Sequence, residues 1–234
     1  MREILIKKAS SSLVAAIGMF VLLIFIAAMK DPQQKKAYTY LALGDSYTIG
    51  EQVKDDRNFP NQTVALLSEQ GFAFKAPAIV AKTGWTTDEL EAGIKKANLQ
   101  KHYDFVTLLI GVNNQYRGRT VDDYIQQFES LLKKALDYVN NDSSRVIVLS
   151  IPDWGITPFA EGRDRKQIAG QIDTYNAANK QVADKYKVHY IEITSSTREA
   201  IYDLELLAKD GLHPSGKEYA KWAKKIAALI TSGL

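Results

Sequence analysis

An α/β fold is what the sequence predicts: a parallel sheet of about five strands between helices, with an N-terminal transmembrane helix ahead of it. Three observations carry that expectation. Short apolar, β-prone runs alternate along the chain with segments of helical spacing. Signatures of helix starts follow closely on several of those runs, as in open α/β sheets that bind ligands at the carboxyl edge of their strands. An uncharged apolar stretch flanked by lysines precedes them all.

Residues 13–29 (LVAAIGMFVLLIFIAAM) form that stretch, with Lys7 and Lys8 before it. Rising about 1.5 Å per residue as a helix, it spans about 25 Å, at the short end for a bilayer crossing. The run ends Ala27-Ala28-Met29-Lys30 with no small-x-small cleavage site, which favours an uncleaved signal anchor over residues 1–30. Lysines on both flanks orient it only weakly. Residues 31–37 (DPQQKKA) read as a linker, and 38–234 as the folded domain. Strands are expected at 38–43, 72–81, 104–111, 145–151 and 187–193, and helices at 61–70, 86–98 and 166–186. Val121, Tyr124, Ile125, Phe128, Leu131, Leu132, Ala135 and Val139 lie on one stripe and predict a further amphipathic helix. At the C-terminus Tyr219, Trp222, Ala223, Ile226 and Ile230 alternate with lysines, as on a packed helix with a solvated face. Thr86 with Glu89, Thr120 with Asp123 and Ser215 with Glu218 have the spacing of capping boxes.

Composition narrows the function. With 234 residues, 46% of them hydrophobic and 24% charged, the chain suits one globular domain and a small appendage. It has no cysteine, which excludes disulfides, cysteine nucleophiles, thiolate metal sites and a lipoprotein anchor. The formal charge of +3 is carried by Arg2, Lys7, Lys8 and Lys30 against Glu3, so the remainder is neutral. A neutral body without a basic cluster gives no footprint for nucleic acid.

Four groups of residues point to chemistry. Gly44-Asp45-Ser46-Tyr47 follows the first strand, and a serine at such a corner presents its hydroxyl at the sheet edge. Asp210-Gly211-Leu212-His213 places an acid three residues before a histidine, where it can fold back on Nδ1 and leave Nε2 free to act on a hydroxyl. Gly84 follows the second strand and can offer an unobstructed N–H to a developing oxyanion. Gly111-Val112-Asn113-Asn114 follows the third strand, and its asparagine amide can reach the same edge.

In type, order and placement this set resembles the SGNH hydrolases, or GDSL-type esterases and lipases, over roughly residues 38–232. The resemblance implies a three-layer α/β/α, flavodoxin-like domain. It also implies Ser46 as nucleophile, with His213 as base and then acid, oriented by Asp210. The N–H groups of Ser46 and Gly84 and the amide of Asn113 would form the oxyanion hole. One position departs: the family's third block usually reads Gly-x-Asn-Asp, and this chain has Asn114 at the end. Asp45 is expected to support the nucleophile turn, and His102 and His189 to be structural. With no phosphate loop and no HExxH helix, neither cofactor nor metal is expected.

Trp85, Tyr116, Trp154 and Phe159 fall on segments expected to line the cleft mouth, where aromatic rings suit an acyl chain or a sugar. The leading expectation is a carboxylic-ester hydrolase acting through an acyl-enzyme on a small, lipid-like or acetylated-carbohydrate ester. Its rivals are an O-acetylesterase or acetyltransferase of the cell envelope and a catalytically idle, membrane-tethered binding module. Family analogy places the domain outside the cytoplasm, periplasmic or extracellular.

Overall fold

The structure is a computed structural model, described here over residues 37–234. The expected anchor at 13–29 and nearly all of the linker lie outside the described residues. Among the described residues no helix is long and apolar enough to cross a membrane.

Five parallel strands, β1 (Tyr40–Asp45), β2 (Ala78–Lys82), β3 (Phe105–Leu109), β4 (Val146–Leu149) and β5 (His189–Ile191), form one sheet in the order β2-β1-β3-β4-β5. β1, β3 and β4 are buried along their whole length, as strands covered on both faces must be, and so they read as unbroken apolar runs. Inside this apolar layer the Tyr40 hydroxyl is satisfied by Thr107 Oγ1 at 2.8 Å. The second strand begins later than its sequence predicts. Phe74 makes only an isolated bridge to Tyr38, and Pro77 has no N–H to give a ladder, so pairing starts at Ala78.

The helices are α1 (Ser46–Ile49), α2 (Phe59–Glu69), α3 (Thr87–Lys96), α4 (Val112–Tyr116), α5 (Val121–Tyr138), α6 (Arg165–Lys185), α7 (Thr194–Arg198) and α8 (Gly216–Ser232). α2 and α8 pack together as one layer, with the Phe59 and Trp222 rings 6.0 Å apart. α3, α5 and α6 form the other, where Tyr124 of α5 meets Tyr175 of α6 at 4.7 Å. The result is a three-layer α/β fold.

The three predicted caps fare differently. Thr86 N–H donates to Glu89 Oε2 at 2.9 Å, completing the expected box at α3. Thr120 Oγ1 accepts from Asp123 N–H at 3.1 Å, but the Asp123 carboxylate takes the Thr120 hydroxyl and not its N–H. At α8 the box does not form. Ser215 Oγ accepts from Lys217 N–H at 3.2 Å, while Glu218 turns into the core. There it accepts from Ser196 Oγ at 2.5 Å and Trp222 Nε1 at 2.8 Å, with Lys221 Nζ 3.0 Å away. Buried donors compete for this carboxylate more strongly than an exposed backbone N–H does.

Candidate active site

The loops that leave the carboxyl ends of β1, β2 and β3 meet the segment before α8 in one cleft of about 150 Å³. Ser46 is the first residue of α1, directly after β1, and its turn is capped by Asp45, whose Oδ1 accepts from Tyr47 N–H at 3.0 Å. Gly44 is required by space: a methyl there would collide with the Thr48 side chain and with the Leu109 carbonyl of β3. The close fit between β1, α1 and β3 therefore sets where the serine stands.

His213 reaches Ser46 from a sequence distance of 167 residues, Nε2 lying 2.9 Å from Oγ. Asp210 Oδ2 lies 2.5 Å from His213 Nδ1. The three-residue spacing works because Asp210 Oδ1 also accepts from the N–H groups of Leu212 at 3.1 Å and His213 at 3.0 Å, folding the loop onto itself. Burial raises the Asp210 carboxyl, but these bonds from His213 and Leu212 outweigh it and hold the group below its ordinary range. An ionised carboxylate only accepts, so Nδ1 carries the ring proton and Nε2 is left to accept from the Ser46 hydroxyl. The buried Tyr47 ring lies 5.0 Å from the imidazole and closes that side. Sequence reading passed Tyr47 over, although its place next to the serine marks it.

Gly84 adopts φ +82°, which favours glycine, and its carbonyl accepts from Arg117 Nη2 at 2.6 Å. Arg117 in turn pairs with Glu89, so the capping box at α3 and the loop after β2 are tied to α4. Gly111, at φ +132°, leaves no room for a side chain against the Tyr124 ring and delivers Asn113 to the cleft. The Asn113 amide nitrogen donates to Trp85 O at 3.0 Å and to Asp45 Oδ2 at 3.2 Å. Both of its hydrogens are thus engaged, and to serve an oxyanion it has to share one of them.

A sequence model of the GDSL-like lipase/acylhydrolase family matches residues 42–221. The chain belongs to that family.

Solved structures agree on the fold. A lipase/acylhydrolase from Enterococcus faecalis is similar at 20% identity and TM-score 0.66, over 84% of this chain and 97% of that one. An acetylxylan esterase from Geobacillus stearothermophilus is similar at 20% identity and TM-score 0.63, over 84% of this chain and 96% of that one. No curated protein sequence matches the chain.

For a GDSL-like protein the unusual residue is Asn114, and its surroundings account for it. The side chain is fully buried, Oδ1 accepts from Thr87 N–H at 3.1 Å, and Nδ2 donates to Thr87 Oγ1 at 2.7 Å. The Thr87 hydroxyl donates to Gln127 Oε1, and its oxygen is so free to accept. The neutral amide thereby ties α4 to the first turn of α3 without burying a charge.

Of the four predicted aromatic residues, Tyr116, Trp154 and Phe159 line the cleft, with Tyr116 and Trp154 rings 5.2 Å apart. Trp85 does not line it. Its indole packs on Gly93 of α3, where any side chain would strike the ring. His102 and His189 lie on β3's amino-terminal approach and on edge strand β5, away from the cleft. Among the described residues no cluster of potential ligands suits a metal ion.

Proposed function

We propose that this GDSL-like protein is a serine-dependent carboxylic-ester hydrolase working through an acyl-enzyme. The observation that carries the reading is the continuous hydrogen-bonded line from Asp210 through His213 to the Ser46 hydroxyl. In the reading, Ser46 Oγ attacks the ester carbonyl carbon as His213 Nε2 takes its proton, and the oxygen becomes an anion facing Gly84 and Asn113. Collapse expels the alcohol, which takes the proton from His213. Water then attacks the acyl-serine in the same way, releasing the acid and restoring the serine hydroxyl. Asp210 holds the imidazole in the required tautomer throughout.

An O-acetylesterase of the cell envelope is the second reading, favoured by the small aromatic-walled cleft and by the acetylxylan esterase among the similar structures. The apolar run at 13–29 supports a membrane tether, with the hydrolase domain outside the cytoplasm. The test is labelling of the full-length protein with a fluorophosphonate, together with a panel of esters of graded acyl length. One label at Ser46, absent in Ser46→Ala together with hydrolysis, is expected. Undiminished labelling in that variant overturns the reading.

A further inference from the structure

The aromatic wall of the cleft has a second face. Tyr116 and Trp154 also border a neighbouring groove of about 260 Å³, completed by Gln115, Arg163, Asp164 and Gln171 among others. The cleft is walled by rings and aliphatic side chains, whereas the groove presents amides, a guanidinium and a carboxylate.

Two of those polar groups are held in place. Trp154 Nε1 donates to Gln115 Oε1 at 2.7 Å, and Gln115 Nε2 donates to Gln171 Oε1 at 2.7 Å. Trp154 and Gln115 are buried and Gln171 is exposed, so a buried relay fixes the orientation of a surface amide. With its oxygen turned inward, the Gln171 amide directs its N–H groups outward. The Arg163 guanidinium lies 5.2, 5.3 and 5.8 Å from the centroids of Tyr116, Trp154 and Phe159, and donates to the Tyr116 hydroxyl at 3.2 Å. Arg117, Arg119 and Arg198 each pair with a carboxylate, but Arg163 makes no ion pair among the described residues. Its face is spent on the rings, which leaves N–H edges for an acceptor.

Resting on the reading of Ser46 as an ester-cleaving nucleophile, we propose that this groove is the alcohol-side subsite and that the alcohol it takes is a saccharide. A sugar offers hydroxyls to the Gln171 and Arg163 donors. An alkyl alcohol would strip water from those donors and return no bond. Asp164 in the same groove argues against an anionic head group and for a neutral, hydroxyl-bearing one. Because the relay and the stacking order the donors beforehand, little side-chain entropy is lost on binding.

The experiment compares two acetyl esters, an aryl acetate and an O-acetylated neutral oligosaccharide, on full-length wild type, Arg163→Ala and Gln171→Ala. Both residues are exposed, and because Gln171→Ala also removes the acceptor of the buried Gln115 amide, thermal unfolding of each variant is compared with wild type. Each variant should lose about tenfold more kcat/KM on the oligosaccharide ester than on the aryl acetate, the size of one hydrogen bond. Equal losses on both esters, or none on either, overturn the subsite. So does a wild type that cleaves the aryl acetate but not the oligosaccharide ester, while leaving the esterase reading intact. If folded protein cleaves no ester, that reading falls, and titration of Ser46→Ala with the oligosaccharide decides the groove. Binding weakened by Arg163→Ala supports it, and no binding overturns it.

Discussion

Asp45 directly precedes Ser46 and Asp210 bonds His213, and their surroundings push the two carboxyls in opposite directions. Asp210 is held low by the bonds it accepts from His213 and Leu212. Asp45 is fully buried, and burial drives it up to about 7 against the pull of Tyr47 N–H and the Asn113 amide. A carboxyl raised on folding binds its proton more tightly in the native state, so it adds stability at low pH and loses that contribution as pH rises through about 7. Asp45→Asn should therefore flatten the pH dependence of thermal unfolding. Relative to wild type it should gain in Tm between about pH 4 and 8, and a difference independent of pH would show that Asp45 does not titrate there. Asn113→Ala tests the oxyanion role at the same scale: kcat should fall roughly 100- to 1,000-fold with a smaller change in KM. If Asn114→Ala cripples turnover while Asn113→Ala does not, the amide assignment moves by one residue.

At the scale of elements, the site depends on how closely α1 sits against β3. Gly44→Ala puts a methyl where Thr48 and the Leu109 carbonyl already stand, and the carbonyl belongs to a central strand that cannot give way. A loss of roughly 1–3 kcal/mol or more is expected in denaturant unfolding, the range for forced overpacking, with esterase activity falling as Ser46 shifts. Gly170→Ala, on an exposed face of α6 with open space around it, is the control and should be neutral or slightly stabilising. If both substitutions prove neutral, the packing argument for the turn at Ser46 fails. α8 matters through Glu218, whose carboxylate bonds Ser196 and Trp222 and so joins α7 to the helix that follows His213.

At the scale of the whole molecule, residues 37–234 form a compact unit that contains the five strands described, both helical layers and the cleft. Residues 38–234 expressed alone should fold cooperatively and keep the hydrolysis rate of the full chain. The full-length protein should fractionate with membranes and the shortened one should not. Soluble full-length protein, or a shortened form that cannot fold, would mean that residues 13–29 belong to the core and not to an anchor.

What the sequence determined by itself was local. Buried parallel strands read as apolar runs, α5 as a stripe, three motif segments as strand ends and the fourth as the approach to a helix, because each signal depends on neighbours a few residues apart. The short helices α1, α4 and α7, of five residues or fewer, carry too little periodicity to read. Only the tertiary structure decided where side chains turn once distant segments compete for them. Trp85 looked like a cleft residue and was claimed by Gly93, Glu218 looked like a cap and was claimed by Ser196 and Trp222, and Asn113 gives its hydrogens to Asp45 and Trp85. Arg163 comes to lie over Tyr116 at the end of α4 as well as over Trp154 and Phe159 of its own loop. Spacing along a chain fixes which face of an element a residue occupies, but its hydrogen-bond partner is settled by groups that folding brings within about 3 Å from anywhere in the chain.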